Sequence, residues 1–218
     1  MTRSGIALAS AILLVLGMVA PSHQIEIDPE FLKVTCGSLI KLTHVPTNAK
    51  LHSHKITYGA GSGSSGQQSV TGFPSRDDNN SYWLVEGPHD TQCERGQPVQ
   101  CGSTIRLMHA GTDTRLHSHL HRSPLSGNQE VSAYPMDAGN PGDNWKLVCV
   151  GNEQQWLRET RVQLVHSETG QYLQISPSHM YSNPIPGQFE VSAIQRKGPN
   201  TEWSAQEGIY FPASEQKK

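Results

Sequence analysis

Apolar and polar residues alternate one by one in short stretches of this chain. Ile40-Lys41-Leu42-Thr43 puts its two apolar side chains on one face, and Ile105-Arg106-Leu107 and Val162-Gln163-Leu164 repeat the pattern. A period of two is the signature of a half-buried strand. Tyr82-Trp83-Leu84-Val85 and Asn144-Trp145-Lys146-Leu147 set each tryptophan on one face with Val85 or Leu147. Turn formers punctuate the stretches: Pro46-Thr47-Asn48, Gly111-Thr112-Asp113, Gly139-Asn140-Pro141-Gly142 and Ser167-Glu168-Thr169-Gly170. No helical stripe is found beyond the N-terminal segment, so the pattern predicts an all-β fold of short strands.

The pattern comes three times. Val34-Thr35-Cys36-Gly37-Ser38 is answered by Val99-Gln100-Cys101-Gly102-Ser103, and Leu51-His52-Ser53-His54 by Leu116-His117-Ser118-His119 and, more weakly, Leu173-Gln174-Ile175-Ser176. Glu130-Val131-Ser132-Ala133 matches Glu190-Val191-Ser192-Ala193, with Ser69-Val70-Thr71 in the first copy. Each copy closes on a tryptophan, Trp83, Trp145 and Trp203, at spacings of 62 and 58 residues. A fixed period of that size is one supersecondary unit copied so that neighbours share a core. With about four strands per copy, roughly twelve in all, threefold repetition selects a β-trefoil, a barrel capped at one end by three hairpins. The expected single domain is 33–211, with copies at about 33–90, 98–152 and 153–211. Residues 212–218 are expected as a disordered tail. The Gly/Ser-rich tract 59–66 falls inside the first copy and is expected as a loop between two strands, not an interdomain linker.

The start of the chain bears on its compartment. Residues 6–20 form an uncharged apolar run behind Arg3. It is short for a bilayer span and has the form of a secretory signal peptide, expected as 1–22 with cleavage after Ser22. An oxidising lumen permits disulfides. The four cysteines allow three connectivities. If the first and last strands of a copy lie side by side, Cys36 pairs with Cys93 and Cys101 with Cys149. Asn79-Asn80-Ser81 is a sequon beside a turn, which marks Asn79 as a candidate for N-glycosylation. Net charge is −2 and only 17% of residues are charged. That argues against a nucleic-acid footprint, which needs a clustered basic face, and against a polybasic membrane patch.

These motifs, together with Gln67-Gln68-Ser69-Val70-Thr71-Gly72, Asn80-Ser81-Tyr82-Trp83 and Glu207-Gly208-Ile209-Tyr210, resemble the MIR-domain family, and most closely its stromal cell-derived factor 2 branch. The resemblance spans about 34–211. It implies a β-trefoil of three MIR repeats in the endoplasmic-reticulum lumen. It further implies a non-enzymatic adaptor in protein quality control and the unfolded protein response. Its implied partners are a lumenal J-domain co-chaperone, that protein's ATPase chaperone, and unfolded client polypeptides. MIR repeats also occur in protein O-mannosyltransferases, so a lectin-like module reading client glycans and an accessory factor for O-mannosylation are the alternatives. Two departures stand out. The Gly/Ser loop is about two residues longer than in relatives, and the chain ends Ser214-Glu215-Gln216-Lys217-Lys218 instead of in a Lys-Asp-Glu-Leu type signal. Retention through a partner, or secretion, both fit.

The histidines carry the remaining candidate chemistry. Residues two apart on a strand share a face, so His52 with His54, and His117 with His119, could present paired imidazoles. The third copy has Gln174 and Ser176, and no cysteine or carboxylate is fixed nearby to complete a tetrahedral site, so no metal and no cofactor is expected. Two readings stay open: a polar surface row of hydrogen-bonding imidazoles, or a shallow groove that contacts sugar or peptide through these four residues. His44, His109 and His166 share parity with core positions and are expected as structural histidines at strand ends. No catalytic motif is present: no nucleophile elbow, zinc-protease helix or phosphate loop.

Overall fold

A computed structural model describes residues 27–59, 63–75, 78–135 and 139–214. The expected leader, 1–22, lies outside the described residues. The first copy supplies β1 (Leu39–His44), β2 (Lys50–Thr57), β3 (Gln68–Phe73) and β4 (Tyr82–Glu86). The second supplies β5 (Thr104–His109), β6 (Thr114–Arg122), β7 (Gln129–Tyr134) and β8 (Trp145–Cys149). The third supplies β9 (Val162–His166), β10 (Tyr172–Met180), β11 (Phe189–Ile194) and β12 (Trp203–Ile209). A short 3-10 turn precedes each closing strand, at Asn79–Ser81, Pro141–Asp143 and Pro199–Thr201. The Gly/Ser tract does connect β2 to β3.

Antiparallel pairing runs β1–β4–β5–β8–β9–β12 and back to β1, so six strands close into a barrel with no exposed edge. The other six form the hairpins β2–β3, β6–β7 and β10–β11. Across the pseudo-threefold axis β3, β7 and β11 pair with one another in a triangle. This is the β-trefoil expected from the repeats. At the opposite end a ring of backbone hydrogen bonds links the three copies around the axis. The Val34 N–H donates to Trp156 O (2.9 Å), Val99 to Val34 O (3.1 Å) and Trp156 to Val99 O (2.8 Å).

The three closing tryptophans show why the period exists. Trp83, Trp145 and Trp203 are fully buried. Their Nε1–H groups donate to the carbonyls of Leu51, Leu116 and Leu173 at 2.9–3.0 Å, which ties each barrel strand to its own hairpin. Each indole also meets an imidazole of the next copy: Trp83 with His109, Trp145 with His166 and Trp203 with His44, ring centres 5.0–5.1 Å apart. The histidine Nε2–H donates back to the preceding turn, at Asn80 O, Gly142 O or Asn200 O, at 2.8–3.0 Å. That fixes the tautomer, and Nδ1 accepts the hydroxyl of Thr47, Thr112 or Thr169 at 2.7–2.9 Å. These are the strand-end structural histidines the sequence suggested.

Both disulfides, Cys36–Cys93 and Cys101–Cys149, form as expected. The condition behind that pairing holds, since β1 lies beside β4 and β5 beside β8. In the third copy Arg158 takes the place of Cys36 and Cys101, with its guanidinium carbon 4.0 Å from the centre of the Tyr210 ring. A cation–π contact stands there for the covalent link. Two boundaries move. Before residue 33, the 3-10 turn Pro29–Phe31 brings Phe31 against the core. Residues 212–214, expected as tail, instead lie against the turn that follows Cys93, where the Ser214 N–H donates to Gly96 O at 2.9 Å. Gly96 permits this, because a Cβ there would meet Pro212 O at 2.9 Å. Residues 215–218 lie outside the described residues.

Two outcomes follow from this packing. Burial pushes His44 down to about 4 and lowers His109 and His166 from the ordinary value of 6.5. Below about pH 6.5 these imidazoles stay neutral in the fold but protonate in the unfolded chain, so the unfolded state binds more protons and stability falls as the pH is lowered. The stabilisation is complete above 6.5 and is lost progressively as pH falls to about 4, on the order of 3 kcal/mol at most for His44. Thermal midpoints measured from about pH 7.5 to about pH 4.5 should fall steadily, and a flat profile would contradict this account. Second, Glu159 holds φ +62° where the related copies have Gly37 (+83°) and Gly102 (+87°). The left-handed region disfavours a side chain, so Glu159→Gly should stabilise the fold by up to about 1 kcal/mol, read from denaturant midpoints.

Candidate functional site

Each hairpin carries a bulge at the same place. Residues 54–56 of β2 lie opposite Ser69 alone, between the Ser53–Val70 and Thr57–Gln68 pairs. Residues 119–121 of β6 lie opposite Glu130, and 176–179 of β10 opposite Glu190. A bulge re-aims side chains and breaks the alternation of the strand. Period two would put Leu120 on the inner face with Leu116. The bulge turns it out, and Leu120 is 86% exposed. Ile56, in the first bulge, is 36% exposed, and Met180, at the edge of the third, 49%.

The four candidate histidines divide accordingly. His54 and His119 open the first two bulges and are half-buried. His52 and His117 lie before the bulges and are only 2% and 6% exposed. The surface row of imidazoles is therefore corrected for these two. Both faces of the strand are covered there, one by the core and the other by the 3-10 turn and an aromatic ring. His52 Nδ1 faces Asp78 Oδ2 (3.2 Å) and Ser81 Oγ (3.3 Å), and its ring stacks on Phe73. Burial pushes His52 down to about 4 against the opposing pull of Asp78. His117 Nδ1 lies 2.9 Å from Asp143 Oδ1, with Tyr134 beside its ring. In the third copy the Gln174 side chain donates to Ser192 Oγ instead (3.0 Å).

Beneath the bulges lie buried carboxylates that the sequence reading passed over. Glu130 accepts the Ser65 N–H (3.1 Å), the Ser65 hydroxyl and His119 Nε2 (2.9 Å). Burial alone would raise its pKa, but the hydrogen bonds from His119 and Ser65 outweigh that and hold it below the usual carboxylate value. Glu190 accepts the N–H groups of Leu125 (2.7 Å) and Ser126 (3.1 Å). Each carboxylate thus holds the hairpin loop of the preceding copy. The first copy has Ser69 there, whose hydroxyl donates to Ile56 O (2.8 Å). Alternation with the buried Val131 and Val191 gives these glutamates the opposite face of their strands. Only the neighbouring loop, long-range in sequence, buries them.

Beside the second bulge a groove of about 440 Å³ separates the second copy from the third. Leu120, His121 and Arg122 form its rim, with Asn128, Gln171 and Gln195 among its walls. A lining of amides around an exposed apolar side chain can hydrogen-bond and pack against a neutral polar ligand. Among the described residues no group of three or more His, Cys, Asp or Glu side chains is placed to hold a metal ion. No described helix is long and apolar enough to cross a membrane. The disulfides fit a lumenal or secreted protein. Asn79 is exposed at the start of its 3-10 turn.

The comparison with known proteins agrees with this geometry. Residues 51–197 match the MIR domain. The stromal cell-derived factor 2-like protein of Dictyostelium discoideum is 49% identical over 185 residues, 84% of this chain and 87% of that one. The crystal structure of the SDF2-like protein from Arabidopsis thaliana superposes with a TM-score of 0.80 at 45% identity, covering 84% of this chain and all of that one. The S. cerevisiae protein O-mannosyltransferase Pmt1–Pmt2 complex bound to the sugar donor contains a region similar at a TM-score of 0.70 and 29% identity; the match covers 85% of this chain and 29% of that one. A barrel of three copies, three indole–imidazole contacts and this degree of identity lead to one assignment: the chain belongs to the MIR-domain family, with stromal cell-derived factor 2 and its like proteins.

Proposed function

We propose that this chain is a non-enzymatic adaptor of the endoplasmic-reticulum lumen that holds unfolded secretory polypeptides within a J-domain co-chaperone complex and its ATPase chaperone. The observation that carries the reading is the second bulge. It turns Leu120 fully into solvent, although strand alternation would bury it, and sets it over an amide-walled groove. An exposed apolar anchor beside backbone-like amides suits an extended chain of variable sequence, which offers apolar side chains and unpaired peptide groups.

A second reading has one observation in its favour. The groove is walled by amides, which is also the chemistry that binds sugar hydroxyls, and the similar region of the mannosyltransferase complex belongs to an enzyme that handles a sugar donor. Binding of glycans on clients, or help in O-mannosylation, would use that groove.

Affinity capture of the tagged protein under mild crosslinking separates the two. The adaptor reading expects recovery of a lumenal J-domain protein and its chaperone in stoichiometric amounts. Leu120→Ser should leave the thermal midpoint unchanged within the error expected of a surface change, yet cut capture of a reduced, unfolded client several-fold. Glycoproteins alone, released by free sugar and lost in Gln195→Ala, would sink the adaptor in favour of the lectin.

A further inference from the structure

We propose that Asn79 is an N-glycosylation acceptor that can be modified only before its own repeat folds. The three 3-10 turns ahead of the closing strands are equivalent, so their differences are informative. Their first positions are Asn79, Pro141 and Pro199. The first position of a helical turn has no intrahelical partner for its N–H, which is why proline is accepted there. Asn79 takes this position with its side chain exposed, and Asp78 caps the turn by accepting the Asn80 N–H at 2.6 Å. A large substituent on Asn79 therefore displaces nothing in the core.

The third position of each turn behaves in the opposite way. Ser81, Asp143 and Thr201 are fully buried. Ser81 Oγ lies 3.3 Å from His52 Nδ1, Asp143 Oδ1 lies 2.9 Å from His117 Nδ1, and Thr201 Oγ1 accepts from Gln163 Nε2 at 2.8 Å. The intervening carbonyl of Asn80 is also taken, by His109 Nε2 of the next copy at 2.8 Å. A sequon is read through its asparagine together with the hydroxyl two residues on. In the folded turn the asparagine faces solvent while the hydroxyl is locked inside, so the native protein displays the acceptor and hides the other half of the signal. The chain is readable while still extended, before β2 brings His52 over Ser81. Afterwards the fold keeps any glycan already attached in solvent.

The transfer needs a lipid diphosphate-linked oligosaccharide and the membrane transferase that uses it. Asn79 Nδ2 forms a bond to C1 of the first sugar, the bond from C1 to the diphosphate oxygen breaks, and Nδ2 gives one proton to a base of the transferase. The lipid diphosphate leaves. The inference shares only the lumenal location with the function proposed above.

Translation of the full chain in the presence of microsomes tests both points. The protease-protected product should migrate as a singly glycosylated species and collapse on treatment with peptide N-glycosidase, with Asn79 converted to aspartate by mass. The shift should vanish in Asn79→Gln and Ser81→Ala and persist in Ser81→Thr. A protected chain with no shift overturns the acceptor while leaving the lumenal location intact; an unprotected, unshifted chain removes both. For the timing, oxidised folded protein and reduced unfolded chain are each offered to solubilised transferase with the lipid-linked donor. Modification of the reduced chain alone is the expected result, and equal modification of both refutes the ordering.

Discussion

A neutral imidazole packed against an indole joins each repeat to the next. His109, His166 and His44 each receive the tryptophan of the preceding copy, donate to the carbonyl of its 3-10 turn and accept a threonine hydroxyl from their own loop. The contact joins the closing strand of one copy, the 3-10 turn that precedes it and the first strand of the next copy at a single buried point. The same indoles reach the hairpin carbonyls at Leu51, Leu116 and Leu173. Each copy cannot complete its own core, which is the physical meaning of the repeat. Burial keeps the imidazoles uncharged, and a charge at these sites would have to be desolvated within the core.

The function proposed above rests on a place where the copies stop being equivalent. The disulfides brace the first two copies at one end of the barrel, and Arg158 over Tyr210 serves the third. At the other end Glu130 and Glu190 each hold a neighbour's loop, while Ser69 leaves the first copy with a lighter tie. The bulges are common to all three, but what they raise differs: Ile56, Leu120 and Met180 are not equivalent side chains in equivalent settings. A symmetric scaffold thus presents an asymmetric rim, and the groove between the second and third copies lies beside its most exposed apolar residue.

Several particulars were legible before any coordinates. The pairing of Cys36 with Cys93 and Cys101 with Cys149 followed from strand adjacency within a copy, a local property of the repeat. The structural role of His44, His109 and His166 followed from parity. Parity failed at His52 and His117, because it distinguishes two faces of a strand but does not say that both are covered. It failed at Leu120 for a different reason: a bulge inserts residues without a signature in hydropathy. Glu130 and Glu190 stood in plain sight in a repeated motif, yet a carboxylate on the polar face of a strand looks the same whether water or a neighbouring loop lies above it.

The sequence by itself determined the number of copies, the strands within them and hence the trefoil, since all of these depend on short-range periodicity and on matches at fixed spacing; it gave the disulfide pairing on the condition of strand adjacency that the fold then met. The tertiary structure decided which polar side chains are inside, where the strands bulge and which copies enclose a groove. Those properties depend on groups distant along the chain: the 3-10 turn of the same copy over His52 and His117, and the loop of the preceding copy over Glu130 and Glu190. No local pattern records such encounters, because the residues that meet are some 26 to 65 positions apart in the chain.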